Sequence, residues 1–313
     1  MGMKVSGTGC LALLSLLALP CGLMAGGSAL GDLSGTAGLN EFSPAPAASA
    51  PAPLRGTDAR QYLPPDNNEP GFEWPPETKA GQEGNFLHTG KAPTYLKSGE
   101  ADSDALPDGS GKCRLEADTL YKLRAAPVFE GQHIIADLET PLAGCAFTRG
   151  YVYMPQVSST SAGGLWELPV NVRAFLDTLA FAEGTKGHYN YIFTFVTFRS
   201  YADHPRKRIC SGGLCSTAAG RYQFLSKTWD PLAKDLDLPD FTPPNQEKAA
   251  LELIRRAGAY NNVANSSVRA NFTKAVSKLN NIWASLPGSP YGQPTHSMDR
   301  LWTVYKAALA GYQ

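Results

Sequence analysis

The chain carries no excess charge of either sign: 28 Lys and Arg balance 28 Asp and Glu over 313 residues. A dedicated nucleic-acid binder normally shows a basic excess or a basic face, so no nucleic-acid partner is expected. No apolar run approaches the ~20 residues that a membrane helix requires, which argues against a stable membrane span. No cysteine pair has C-x2-C spacing, no His-x3-His pair occurs among the five histidines, and no glycine loop ends in Lys-Ser or Lys-Thr. The common metal and nucleotide sites therefore have no foothold, and no metal or cofactor is implied.

Glycine and proline, by contrast, are plentiful at 31 and 24 residues, and they divide the chain. Lys4, an apolar run of about nine residues from Leu11 to Leu19, and the small residues Ala25-Gly26-Gly27-Ser28-Ala29 have the layout of a secretory signal peptide over 1–25. Ala25 and Ala29 are alternative cleavage points. Lipid anchoring at Cys21 fits poorly, because Leu19-Pro20 stands where a small residue is needed. The protein is thus expected to be exported, periplasmic or secreted. Residues 26–111 hold eleven of the prolines and little periodicity. They read as a Pro/Ala/Gly-rich linker, largely disordered, with Phe72, Trp74 and Phe86 as aromatics that could dock on a folded neighbour. If Cys10 and Cys21 leave with the signal, Cys113, Cys145, Cys210 and Cys215 remain, and export favours disulfides. Four cysteines permit three connectivities. Cys113–Cys145 with Cys210–Cys215 keeps each bridge inside one domain and is the expected pairing.

Residues 112–160 contain short β-type runs, Leu120–Arg124, His133–Ala136 and Tyr151–Tyr153, punctuated by Gly131, Pro141, Gly144 and Gly150. This is the pattern of a small antiparallel barrel. From 169 to 313 the period becomes helical: Ala250, Leu253, Ile254 and Ala257 keep the spacing of one buried helix face, as do Trp229, Leu232, Ala233 and Leu236, and Leu301, Val304, Tyr305 and Ala308. His188–Phe224, polar and aromatic, reads as hairpins and loops. The expected class is α+β: a mainly helical domain with a small β lobe, preceded by a β-barrel domain and a Pro-rich linker.

One helix carries chemistry. Val172, Phe175, Leu176, Leu179 and Ala180 form its apolar stripe. The next stripe position holds Glu183, and Gly184 follows to turn the chain away. A carboxyl group on an apolar face has a raised pKa, which a general acid near neutral pH requires. Periodicity alone leaves this level with an exposed glutamate on a frayed last turn.

The surrounding residues resemble a known family. Phe175-Leu176-Asp177-Thr178-Leu179-Ala180-Phe181-Ala182-Glu183-Gly184-Thr185 is similar to the catalytic helix of lambda-phage-type endolysins of the lysozyme-like superfamily. Tyr201–Lys207, Ser216–Gln223, Asn281–Gly288 and Tyr291-Gly292-Gln293 follow in the family's order. The resemblance implies a lytic transglycosylase that cleaves the β-1,4 bond between N-acetylmuramic acid and N-acetylglucosamine in peptidoglycan glycan strands. Glu183 is then the single catalytic acid and base. A water-using muramidase and a non-catalytic wall-binding protein of the same fold are the alternatives. The resemblance also implies a cleft lined by Ser216, Thr217, Gly220, Arg221, Tyr222, Gln223, Tyr291 and Gln293. Asp203 is either a second carboxylate at the cleft or half of a structural pair with Arg206. Tyr189–Phe195 departs from the family, since aromatics replace a Gly-Gly turn found in many relatives, and the turn is expected to differ. Leu123–Pro127 and Gly150–Tyr153 resemble the opening and closing signatures of bacterial Src-homology-three-like domains, which often hold wall peptides; a purely structural module is the other reading. With no net charge, wall binding would rest on local cations, Arg206-Lys207-Arg208 and Arg255-Arg256.

Overall fold

Alternation of buried and exposed side chains begins at Asn85, inside the stretch expected to be linker. In the computed structural model the described residues are 64, 66, 69, 72–74, 85–157 and 168–312; the signal-like segment 1–25 and most of the linker lie outside them. Seven short strands make the β unit: β1 (Asn85–His88), β2 (Thr94–Lys97), β3 (Lys112–Leu115), β4 (Leu120–Leu123), β5 (Val128–Glu130), β6 (His133–Asp137) and β7 (Arg149–Tyr153). The barrel expectation is corrected here. Five strands form one antiparallel sheet in the order β3-β2-β7-β6-β5, β1 and β4 form a separate ribbon, and β3 does not close onto β5. Bridges at the strand ends, Leu123 to Leu138 and Thr89 to Val157, link ribbon and sheet. The physical reason is visible at β5. Its outer edge is covered by the chain at 199–200, where Glu130 bridges Ser200 and the Gly131 N–H donates to the Arg199 carbonyl. A covered edge has no reason to seek another strand. Leu87, Leu96, Leu115, Ile134 and Val152 make the core of this unit, and Cys113–Cys145 ties β3 to the loop before β7, as expected.

The second unit is mainly helical: α1 (Val170–Ala182), α2 (Ser226–Asp235), α3 (Pro243–Arg256), α4 (Tyr260–Ala264), α5 (Arg269–Leu279) and α6 (Met298–Tyr312). Its small lobe consists of two hairpins, β8 (Tyr191–Ile192) with β9 (Val196–Thr197), and β10 (Ile209–Ser211) with β11 (Leu214–Ser216). Cys210 and Cys215 face each other across β10 and β11 and are bridged, also as expected. The sequence stripes lie inward: Phe175, Leu176 and Leu179 of α1 meet Trp229, Leu253, Ile254, Phe272 and Tyr305 in one core. Burial of each such side chain stabilises by about 1.5–3 kcal/mol. The two units meet through Tyr201, whose hydroxyl donates to the Gly131 carbonyl at 2.8 Å, and through Arg199, which pairs with Glu100 and Glu130. Among the described residues no helix is long and apolar enough to cross a membrane.

Part of the expected linker docks on the helical unit. The Glu69 carboxylate accepts the backbone N–H groups of Tyr260 and Asn261, at the start of α4. Phe72 packs edge-on against Tyr260 and lies under the Arg255 guanidinium, and Asp66 pairs with Arg255. Arg255 and Arg256 are therefore not free wall-binding cations: both are buried, both pair with Glu252, and Arg256 also pairs with Asp235.

Candidate active site

Helix α1 ends as its sequence requires. Glu183 is the C-cap, and Gly184 takes a left-handed φ of 75°. The Gly184 N–H donates to the Phe181 carbonyl and the Thr185 N–H to the Ala180 carbonyl, both at 3.0 Å. These two bonds are the Schellman arrangement that closes a helix on a glycine. The Thr185 hydroxyl, fully buried, is 2.5 Å from the Arg221 carbonyl and fastens this end to the 220–223 segment. Glu183 is thereby fixed at the floor of a cleft of about 420 Å³.

Two larger hollows, of about 700 and 740 Å³, run along the seam between the units. Glu130 pairs with Arg199 in one and Asp177 with Arg221 in the other, and neither hollow contains Glu183. Burial pushes the Glu183 carboxyl from its ordinary 4.5 up to about 7, and a hydrogen bond from the Ser285 hydroxyl pulls weakly the other way. That hydroxyl donates to Oε1 at 2.6 Å. An oxygen that already accepts a proton from Ser285 is the poorer site for the acid's own proton, which falls to Oε2. The group is thus poised between its two charge states near neutral pH, as general acid–base catalysis requires.

The structure brings some of the sequence-predicted residues to Glu183 and separates others. Ser216, Gln223, Tyr291 and Gln293 line the cleft with it. The Gln223 side-chain amide donates to the Gly220 and Tyr191 carbonyls, and the Tyr291 hydroxyl donates to the Asn281 carbonyl. Arg221 and Tyr222 do not reach the cleft. Arg221 is buried in a network with Asp177 at 2.5 Å, Glu247 at 2.9 Å and the hydroxyls of Tyr189 and Tyr222. Gly220 is left-handed with φ 81°; a Cβ there would come within 2.3 Å of the Gln246 side-chain oxygen, so glycine admits Gln246 instead of substrate. The Thr217 hydroxyl accepts the Ser226 N–H at the start of α2. Asp203 stands apart from the cleft, exposed, paired with Arg206, which also bonds Asp230. Of its two readings the placement matches the structural pair. Beside it His204 is buried: Nδ1 accepts the Arg206 N–H and Nε2 donates to the Phe224 carbonyl, so it is fully occupied.

Sequence reasoning missed Ser285, and also the apolar wall formed by Phe193, Phe195 and Leu214. Ser285 lies inside a segment that carries the family resemblance, Asn281–Gly288, but nothing in a linear segment says which residue faces the acid.

A lone, half-buried carboxyl of raised pKa lies in a cleft lined by hydroxyl, amide and aromatic groups, an arrangement capable of general acid–base chemistry. A family model described as Endolysin matches residues 173–311. The endolysin of Escherichia phage P2 is 40% identical over 156 residues, covering 44% of this chain and 92% of that protein; the endolysin of Escherichia phage lambda is 42% identical over 145 residues, covering 44% and 89%. The chain belongs to the endolysin family, and the matched half makes it a peptidoglycan-degrading glycosidase. Among solved structures, the lysozyme of bacteriophage lambda complexed with a chitohexasaccharide is 40% identical, covering 45% of this chain and 96% of that chain, with a TM-score of 0.43. A second structure of the lambda lysozyme is 39% identical with a TM-score of 0.41.

Proposed function

We propose that the chain is an exported lytic transglycosylase that cleaves between N-acetylmuramic acid and N-acetylglucosamine, with Glu183 as the only catalytic acid and base. One observation carries this reading: among the described residues that line the cleft, Glu183 is the only carboxyl group. Glycosidases of the usual retaining or inverting kind need two carboxyl groups, one acting on the leaving group and one on water or the anomeric carbon. A transglycosylase needs one, because its nucleophile is already on the substrate. Glu183, protonated on Oε2, gives its proton to the glycosidic oxygen as the C–O bond breaks and positive charge grows at the anomeric carbon. The resulting carboxylate then takes the proton of the muramic 6-hydroxyl as that oxygen bonds to the same carbon. The acid is regenerated, the product is a 1,6-anhydro sugar, and no water is consumed.

Export is supported by the signal-like segment 1–25 and by the two disulfides, which persist in oxidising compartments. The deciding experiment is mass spectrometry of muropeptides released from purified sacculi by the wild type and by Glu183→Gln. Anhydro products, lighter by one water than hydrolytic ones and missing with Glu183→Gln, are expected. Hydrated products would make the chain a muramidase, and equal release by the variant would remove Glu183 from the chemistry.

A further inference from the structure

The turn between β8 and β9 is strained in a way that folding does not explain. Thr194 has φ 69° and Phe195 φ 62°, two successive left-handed residues of which neither is glycine. Side chains with a Cβ are disfavoured there, and a β-branched threonine especially so. The Phe195 ring is also 53% exposed, so it contributes little to a core. Strain and an exposed aromatic together invite a functional reading.

The position of the ring supplies that reading. Phe195 lies against Gly184, the residue directly after Glu183: a Cβ on Gly184 would meet Phe195 Cζ at 2.9 Å. Tyr191 abuts it edge-on at 5.5 Å, and His188 stacks on Tyr191 at 4.4 Å, so the ring is held from beneath and from one side. The same cleft is lined by Leu214, 40% exposed, beside the turn of the bridged β10–β11 hairpin. A rigid ring with an open face in a saccharide cleft suits one ligand chemistry. Pyranose rings present a face of C–H groups carrying partial positive charge, and an aromatic face is negative.

We propose that Phe195 is a sugar-stacking residue of this cleft, binding the apolar face of an N-acetylhexosamine ring on the β8–β9 side of Glu183 and setting glycan affinity rather than the chemical step. The proposal rests on the glycan-cleaving reading above. It is tested on the full chain with Phe195→Gly and Phe195→Tyr, using sacculi for rates, and with the same changes added to Glu183→Gln for titration of chitohexaose as binding probe.

Phe195→Gly is expected to raise KM on sacculi and Kd for chitohexaose about three- to tenfold, with kcat within about twofold. Its melting temperature should not fall, because glycine relieves the left-handed strain. Phe195→Tyr, which keeps the ring, should match the wild type. Unchanged KM and Kd in Phe195→Gly overturn the proposal while wild-type cleavage leaves the enzyme reading intact. A fall in kcat with a shifted pH profile and unchanged KM also overturns it, making the ring a water shield for Glu183. A wild type that neither cleaves sacculi nor, as Glu183→Gln, binds chitohexaose overturns both readings together.

Discussion

Two glutamates flank the 220–223 segment and show what surroundings do to the same side chain. Glu247 is 1% exposed and is given a cation: Arg221 bonds it at 2.9 Å and the Tyr189 hydroxyl at 2.5 Å, while Asp177 shares the same guanidinium. Glu183 is given only the Ser285 hydroxyl. Burial pushes both carboxyls up, but at Glu247 the guanidinium opposes it. A carboxyl with a fixed cationic partner is structural, because changing its charge would strand the partner in the interior. A carboxyl with a hydroxyl partner can exchange its proton and leave nothing stranded.

The comparison breaks most visibly at Glu183→Gln. Muropeptide release should fall by about 10²- to 10⁴-fold, the usual worth of a positioned acid, with no drop in melting temperature. Glu247→Gln should do the reverse. Leaving Arg221 short of a charge is expected to cost about 3–5 kcal/mol in denaturant unfolding, while the molecules that remain folded keep the wild-type pH profile. If Glu247→Gln abolished turnover in a fully folded protein, the division of roles would be wrong.

The pH dependence sharpens the contrast. The folded pKa of Glu183, about 7, lies above its ordinary 4.5. The folded state thus holds this proton more tightly than the unfolded state, so stability is greatest below pH 4.5 and declines as pH rises through about 7. Relative to Glu183→Gln, the wild type should lose up to about 3 kcal/mol across that window. The rate should fall on the alkaline side of the same pKa. Ser285→Ala removes a bond that favours the carboxylate, so the alkaline limb should move to higher pH. A shift to lower pH would show that Ser285 does not donate to Glu183. The smallest effect belongs to Asp203→Asn, because an exposed pair contributes less than about 1 kcal/mol and stands outside the cleft. A large loss of turnover would restore Asp203 as a second carboxylate.

Local periodicity made much of this legible in the sequence. The stripe Val172–Ala180 reaches Glu183 because a helix repeats, and Gly184 ends it because only glycine turns there cheaply. The disulfides followed from compartment and spacing. What stayed hidden depends on direction. Arg221 and Gln223 are two residues apart in one loop, yet one enters the core and the other the cleft, and no period governs a loop. β1 and β2 were obscured by nearby prolines because strands of four residues are too short to impose alternation. The pairing of Arg255 and Arg256 was within reach of sequence reasoning, since Glu252 precedes them by three and four residues, the spacing at which helical side chains meet.

The docking of Asp66, Glu69 and Phe72 has a consequence for how the molecule can be divided. The family match begins at residue 173, but in this chain α4 receives its N-terminal carboxylate from Glu69, and Arg255 shares its charge with Asp66. A truncation placed at the start of the match would expose the Tyr260 ring where Phe72 had covered it and leave two backbone donors of α4 to water. The boundary of the family match and the physical boundary of the folded body are, in this chain, different places.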